Sequence, residues 1–288
     1  MKPVEFTFHS ANSVEDSLAK LSALGEDCKI IAGGQSLGPM LNYRVARPTS
    51  VIDIRRIAVL REISHDADKI SIGAAVSHAA IEDWNCGSPL ERFLSKVASG
   101  IAYRAIRNRG TIGGSLALAD PAADWPVVVS VLNADIEIRS LEAGRIISAR
   151  RFFVDQMETA LAPDEVLARI SIHRGAPRRI YGYYKIARKT GEFADSISAA
   201  CLDLSEHGTI SEANVWLGAA LATPCQLTAV EGLLKDKRAA DWSPDQVSEA
   251  VRDALPSPEN AYERHKLQLH CVAVNRALKD ALGISTNE

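Results

Sequence analysis

The chain has 288 residues, a formal net charge of −3, and 47% hydrophobic and 24% charged residues. This length favours two or three domains over one. The net charge is slightly negative and the sequence has no basic stripe, so we expect no binding to nucleic acid. No apolar run is long enough to span a bilayer, so we expect no membrane span.

The opening of the chain predicts, in order, a strand, a helix, a strand, a glycine loop, a short helix and a strand. Asn12 and Ser13 precede an amphipathic run that predicts a capped helix ending near Gly25. A β-branched run over 28–31 predicts a strand, a short helix is expected over 37–43, and a further strand over 51–54. This is a small β-α-β-type unit, and ligands tend to bind at the carboxyl ends of its strands.

A glycine pair follows the strand over 28–31, in the segment Ala32-Gly33-Gly34-Gln35-Ser36. Glycine has no Cβ atom and tolerates φ > 0, so consecutive N–H groups in such a tight loop can converge on an anion. A glycine turn without a ligand is the alternative interpretation.

Two other glycine motifs fit this segment poorly. It has neither the Gly-x-Gly-x-x-Gly pattern of dinucleotide-binding folds nor the Gly-Lys-Ser/Thr of a P-loop. Residues 34–38 do match the nucleophile elbow of α/β-hydrolases, which would make Ser36 a nucleophile. However, too little chain precedes Ser36 for the strands of that fold, and no His-Gly-Gly segment lies upstream for an oxyanion hole.

A second glycine pair lies in Thr111-Ile112-Gly113-Gly114-Ser115, after basic residues. We expect a second tight loop here, so that a large ligand with phosphate or polar groups is held between the two segments. A small, apolar run then leads to Asp120 and Asp124. Asp120 fits a turn before Pro121, whereas Asp124 fits equally well an exposed position or a hydrogen bond to a ribose diol or adenine amine.

The rest of the chain predicts further strands and then helices. The strands are expected over 69–73, 134–138, 197–204 and 213–221, and the helices over 226–236, 244–255 and 260–282. A Gly/Pro-marked break over 174–177 separates the last part. The predicted regions are therefore 1–56, 57–175 and 176–288, an α+β organisation.

The five cysteines lack the spacing of a metal site. Cys28, Cys86, Cys201, Cys225 and Cys271 form no Cys-x-x-Cys pair and have no histidine at ligand spacing. We therefore expect no zinc, no iron–sulfur cluster and no other metal in this chain, and reduced thiols in the cytoplasm. The first residues do not form a signal peptide, which also favours a cytoplasmic protein.

Both glycine segments, together with residues 42–54 and 119–124, resemble the FAD-binding medium subunit of molybdenum hydroxylases, the carbon monoxide dehydrogenase/xanthine dehydrogenase family. The resemblance covers nearly the whole chain. It implies a two-subdomain FAD-binding fold of the vanillyl-alcohol oxidase/PCMH type, followed by a C-terminal domain with a three-stranded antiparallel sheet and a helical bundle. Gln35 and Ser115 depart from the family's commonest residues, which bears on redox tuning and not on the fold.

The resemblance also implies roles for particular residues. Residues 32–36 would bind the FAD pyrophosphate through their N–H groups and the Ser36 hydroxyl, and residues 111–115 would form the second wall. Asp124 would bind the adenosine ribose, and Lys185 would lie at the pyrimidine side of the isoalloxazine ring, where a cation favours the reduced flavin. Phe193 could pack on the ring face.

The implied function is electron relay in a complex. Molybdopterin on a large subunit and two [2Fe-2S] clusters on a small subunit would deliver electrons to FAD in this chain, which passes them to an external acceptor. A dimer of heterotrimers is expected, and no residue here is assigned a catalytic role. A serine hydrolase using Ser36 and a non-catalytic nucleotide-binding assembly subunit are the alternatives.

Overall fold

The computed structural model describes residues 2–84, 87–238 and 241–284; Cys86, one of the cysteines considered above, lies outside them. The first unit has the predicted order of elements: β1 (Thr7–Ser10), α1 (Val14–Leu24), β2 (Cys28–Ile31), α2 (Leu37–Asn42) and β3 (Ser50–Asp53). Its strands are parallel in the order β1-β3-β2. The Ser13 hydroxyl accepts the N–H of Asp16 at 3.0 Å, which confirms the predicted helix cap.

The second unit is built around an antiparallel sheet in the order β4-β5-β10-β6-β7. Its strands and helices are, in chain order, a short 3₁₀ helix (Ala58–Arg61), β4 (Ile63–His65), β5 (Lys69–Gly73), α3 (His78–Glu82), α4 (Pro89–Ser99), α5 (Arg104–Arg107), α6 (Ile112–Leu118), α7 (Asp124–Val131), β6 (Asp135–Arg139), β7 (Gly144–Ser148), α8 (Ala149–Phe152), β8 (Phe153–Asp155), β9 (Glu158–Thr159) and β10 (Val166–His173).

The last unit is an antiparallel sheet in the order β11-β12-β13-β14, followed by helices. Its elements are β11 (Arg179–Ile186), β12 (Ser196–Leu204), β13 (Ile210–Gly218), β14 (Cys225–Gln226), α9 (Thr228–Leu234), α10 (Pro244–Asp253) and α11 (Ala261–Ala281). Within the described residues, β14 is a short strand beyond the three predicted for this sheet. The three predicted helices are confirmed to within about two residues at their ends.

Strand β12 is buried on both faces and separates two hydrophobic cores. Ile197, Ala199 and Cys201 belong to the core that contains Trp125 of α7. The alternate residues Ala200 and Leu202 belong to the core formed with α9, α10 and α11. Because successive side chains of a strand point to opposite faces, this one strand packs against the second unit on one face and against the helices of its own unit on the other.

Helix α11 lies directly against the edge strand β11. A Cβ atom on Gly182 would lie 1.9 Å from the carbonyl oxygen of Ala277, so only glycine permits this approach. One turn further, Asp280 Oδ2 accepts the Tyr183 N–H at 2.9 Å, which satisfies a backbone donor at the edge of the sheet. The helix therefore fixes the strand that also carries Lys185.

The part of the chain that the structure describes has no helix long and apolar enough to cross a membrane. The same residues contain no cluster of three or more His, Cys, Asp or Glu side chains placed to hold a metal ion. Cys28, Cys201, Cys225 and Cys271 are free thiols, and burial raises the pKa of each.

Candidate functional site: a cleft between two glycine segments

A cleft of about 520 Å³ lies where the three units meet. All of the predicted cofactor-binding residues except one line it: Ala32, Gly33, Gly34, Gln35, Ser36, Thr111, Gly113, Gly114, Ser115, Asp124 and Lys185. The exception, Ile112, is fully buried in the hydrophobic core beneath the cleft. The structure thus brings together residues from the first, second and last units of the fold.

The first glycine segment leaves β2 at its carboxyl end and leads into α2. Gly34 has φ +71°, in the left-handed region that favours glycine. Among the described residues, no acceptor is within hydrogen-bond distance of the backbone N–H groups of 33–36. A row of unsatisfied donors on a cleft is a ready site for an anionic group.

The second glycine segment is a helix, not the expected tight loop. Thr111 is the N-cap of α6, and its Oγ1 accepts the Gly114 N–H at 3.1 Å. The Gly113 N–H bonds to the carbonyl of Ala74 at 2.9 Å, so these donors are already satisfied. A Cβ on Gly113 would lie 2.5 Å from the Ala74 Cβ. Glycine is therefore required here for close packing and not for a positive φ.

The two segments also pack on each other. A Cβ on Gly33 would lie 2.1 Å from the carbonyl oxygen of Arg109 and 2.7 Å from the Gly110 Cα. The Gly110 carbonyl in turn accepts the His78 N–H at 2.9 Å. The width of the cleft is thus set by backbone-to-backbone contact.

Asp124 and Lys185 form a buried ion pair in the wall of the cleft. Their side chains are 7% and 11% exposed, and Lys185 Nζ donates to Asp124 Oδ1 at 2.9 Å and to the Gly100 carbonyl at 2.8 Å. The Tyr183 hydroxyl donates to the same Oδ1. Burial, followed by the charge of Asp124, raises the Tyr183 pKa well above its usual value, so the phenol remains a donor.

This pair places two predicted site residues in direct contact with each other. The resemblance assigns Asp124 to the adenosine ribose and Lys185 to the flavin pyrimidine ring, and both roles stay predictions. The contact depends on how α7 packs against β11, and no local pattern of the sequence reveals it.

His78 lines the cleft, although the sequence assigns it no role there. It is 6% exposed at the start of α3. Its Nδ1 accepts the indole N–H of Trp125 at 3.1 Å, and burial lowers its pKa to about 4. No sequence signal marks it, since its position depends on a tryptophan 47 residues away.

Phe193 forms the outer wall of the cleft and is 64% exposed. It also lines a neighbouring groove of about 800 Å³ next to the start of α11. The loop that carries it contains Gly191, which has φ +89° and lies against the Tyr103 ring. Phe193 is available for the predicted packing on a ligand ring, which stays a prediction.

Comparison with known proteins gives a consistent result. Residues 4–174 match the model of the FAD binding domain in molybdopterin dehydrogenase. The chain is 34% identical to subunit alpha of the 6-hydroxypseudooxynicotine dehydrogenase complex of Paenarthrobacter nicotinovorans, over 98% of this chain and 96% of that one. It is 33% identical to the nicotine 6-hydroxylase medium subunit of the same organism, over 88% and 89% of the two chains.

Its fold is similar to that of a chain in the structure of carbon monoxide dehydrogenase from Hydrogenophaga pseudoflava. The TM-score is 0.89 at 31% identity, covering 99% of this chain and all of that one. The predicted fold class is confirmed. None of these comparisons supports a serine hydrolase using Ser36 or a non-catalytic assembly subunit.

Proposed function

The chain belongs to the family of FAD-binding medium subunits of molybdenum hydroxylases, and on that premise we propose that its FAD is held in the cleft between the two glycine segments. Bound there, FAD supplies electron transfer from iron–sulfur clusters on a partner subunit to an external acceptor. The protein's contribution is to bind and orient the cofactor and to set the charge around it.

The observation that carries this placement is the set of N–H groups at 33–36 without an acceptor in the described residues. A diphosphate supplies acceptor oxygens and negative charge to such a donor row. Ser36 is proposed to add its hydroxyl. The donors of 112–115 are satisfied within the protein, so the second segment acts mainly as a close-packed wall, with Thr111 as the residue that presents a hydroxyl.

We assign the Asp124–Lys185 pair to one end of the cofactor. Lys185 is held by two groups of the protein, the Gly100 carbonyl and the Asp124 carboxylate, and its charge is partly compensated by Asp124. A fixed, partly neutralised ammonium orients a ligand while changing the local potential less than a free cation would. No residue of the chain is assigned a chemical step on substrate.

The partner proposals follow from the family and from the names of the relatives. The Paenarthrobacter proteins are called a subunit of a complex and a medium subunit. We propose a large molybdopterin subunit and a small subunit with two [2Fe-2S] clusters as partners, in a dimer of heterotrimers in the cytoplasm. The three-region division at 56 and 175 remains part of this proposal.

An absorption spectrum of the purified chain, before and after dithionite, tests the placement of FAD. We expect flavin bands that bleach on reduction, with no iron–sulfur shoulder. FAD should also be lost from Gly34→Val, because a β-branched residue does not tolerate φ +71°. The neighbouring Gly38→Ala is the control, since a Cβ there meets no atom within 4 Å.

A colourless protein that also fails to take up added FAD would overturn the proposal. Full flavin occupancy in Gly34→Val would overturn the proposed role of the first glycine segment, but not the proposal that the chain binds FAD.

A further inference from the structure

The imidazole of His78 has one ring nitrogen without a partner. Trp125 Nε1 donates to Nδ1, whereas Nε2 makes no hydrogen bond with any residue in the described ranges. The side chain is buried among the residues that line the cleft, and it is not needed to cap or pair any charged group.

The tautomer of this ring follows from the chemistry of its partner. An indole nitrogen only donates, so Nδ1 must be the acceptor and carries no proton. Burial lowers the His78 pKa to about 4, so the ring is neutral at pH 7. The single ring proton therefore lies on Nε2, and this nitrogen is a hydrogen-bond donor.

The same edge of the ring faces the second glycine segment. A Cβ on Gly110 would lie 2.9 Å from both Nε2 and Cδ2 of His78. Gly110 itself lines the cleft, directly before Thr111. Nε2 is not one of the buried side-chain atoms that lack a partner in the described residues, so this donor can be reached by a ligand acceptor in the cleft.

We propose that His78 is a cofactor-binding residue, held in its Nε2–H tautomer by Trp125 so that it donates a hydrogen bond to an acceptor oxygen of bound FAD. This inference rests on the proposed function, and it adds an imidazole donor to the site. Trp125 is its positioning residue.

FAD titration of the FAD-free full-length chain tests this. His78→Asn keeps an amide near Nδ1 and has no group at Nε2, and we expect it to weaken FAD binding about tenfold, the scale of one hydrogen bond. His78→Gln places an amide donor near Nε2, and we expect affinity within about threefold of the unmodified chain.

A matched control is His270→Asn. His270 is 5% exposed, bonds to Ser196 through Nδ1 and has a pKa lowered by burial to about 4, but it does not line the cleft. FAD affinity should not change in this variant.

Titration of His78→Asn with ADP as a second probe locates the acceptor. If the affinity for ADP falls as much as the affinity for FAD, the acceptor lies in the ADP half of the cofactor. If only the affinity for FAD falls, it lies in the flavin half.

A spectroscopic readout separates binding from a structural role. In the chain labelled with ¹⁵N-histidine, the ring signals missing from His78→Gln identify those of His78, and the Nε2 resonance should shift when FAD is added. If His78→Asn does not fold, this shift and the Gln variant decide the question.

Unchanged FAD affinity in a folded His78→Asn variant, or an Nε2 resonance that FAD does not move, would overturn the inference. Failure of the unmodified chain to bind FAD would instead overturn the proposed function.

Discussion

The contact between the two glycine segments makes Gly33→Ala a severe perturbation. The added Cβ would lie 2.1 Å from the Arg109 carbonyl oxygen and 2.7 Å from the Gly110 Cα. Nonbonded carbon contacts are ordinarily about 3.5 Å or longer. Both neighbours are backbone atoms that cannot rotate away, so the two segments must separate by roughly 1 Å.

Overpacking of this kind typically destabilises a protein by about 1–3 kcal/mol. Because both sides of the Gly33 contact are backbone, we expect a loss of about 3 kcal/mol in the free energy of unfolding. With an m-value of about 3 kcal/mol/M in urea, the unfolding midpoint would fall by about 1 M. FAD affinity should fall at least about tenfold, since the donors at 33–36 move with the segment.

The assay is urea unfolding of the full-length chain, followed by FAD titration of the same samples. Gly38→Ala is the matched control, because it makes the same chemical change inside α2 with no atom within 4 Å. Ala is favoured over Gly in a helix by about 0.5–1 kcal/mol, so this control should be slightly stabilised. Equal midpoints and equal FAD affinity for Gly33→Ala and Gly38→Ala would refute the packing argument.

Three further results are expected. Asp124→Asn leaves the Lys185 ammonium buried without its carboxylate, and urea unfolding should show a loss of about 3–5 kcal/mol. Gly182→Ala places a Cβ 1.9 Å from the Ala277 carbonyl oxygen, so α11 must shift and the urea midpoint should fall. The pKa of His78 is about 4 in the folded protein and about 6.5 unfolded, so the unfolded chain binds more protons between these values. Stability should therefore fall by up to about 3 kcal/mol as the pH is lowered from 6.5 to 4, and His78→Gln should lack this contribution.

Each of these has a control. Adding Lys185→Met to Asp124→Asn should restore part of the lost stability, and no recovery would contradict the ion-pair argument. Gly232→Ala in α9 meets no atom within 4 Å and should leave the midpoint unchanged or higher; an equal loss in both glycine variants would contradict the helix contact. An identical pH dependence for His78→Gln and the unmodified chain would show that His78 does not control it.

The sequence predicts the first unit well because its signals are local. A serine cap, a β-branched run and a glycine at φ +71° each act within a few residues of their own position. The strands over 69–73 and 197–204 are predicted for the same reason, since their β-branched and alternating patterns arise within the strand.

The site itself was predicted in part. Gly34 and Gly113 look alike in sequence, but the first provides a backbone conformation and the second provides space for Ala74. No local sequence pattern distinguishes these two uses of glycine, because the second depends on Ala74, which follows β5 and is distant from Gly113 in the sequence. The Asp124–Lys185 contact and the Trp125–His78 contact were missed for the same reason.

The packing of α11 on β11 links the end of the fold to the cleft thermodynamically. Tyr183 donates its N–H to Asp280 on one side and its hydroxyl to Asp124 on the other. If a ligand binds only when β11 is in place, its binding also stabilises α11 in its docked position on β11. The free energy of binding then adds to the stability of that docked state. Cofactor occupancy and protection of the Tyr183 amide from hydrogen exchange are therefore two readouts of one equilibrium.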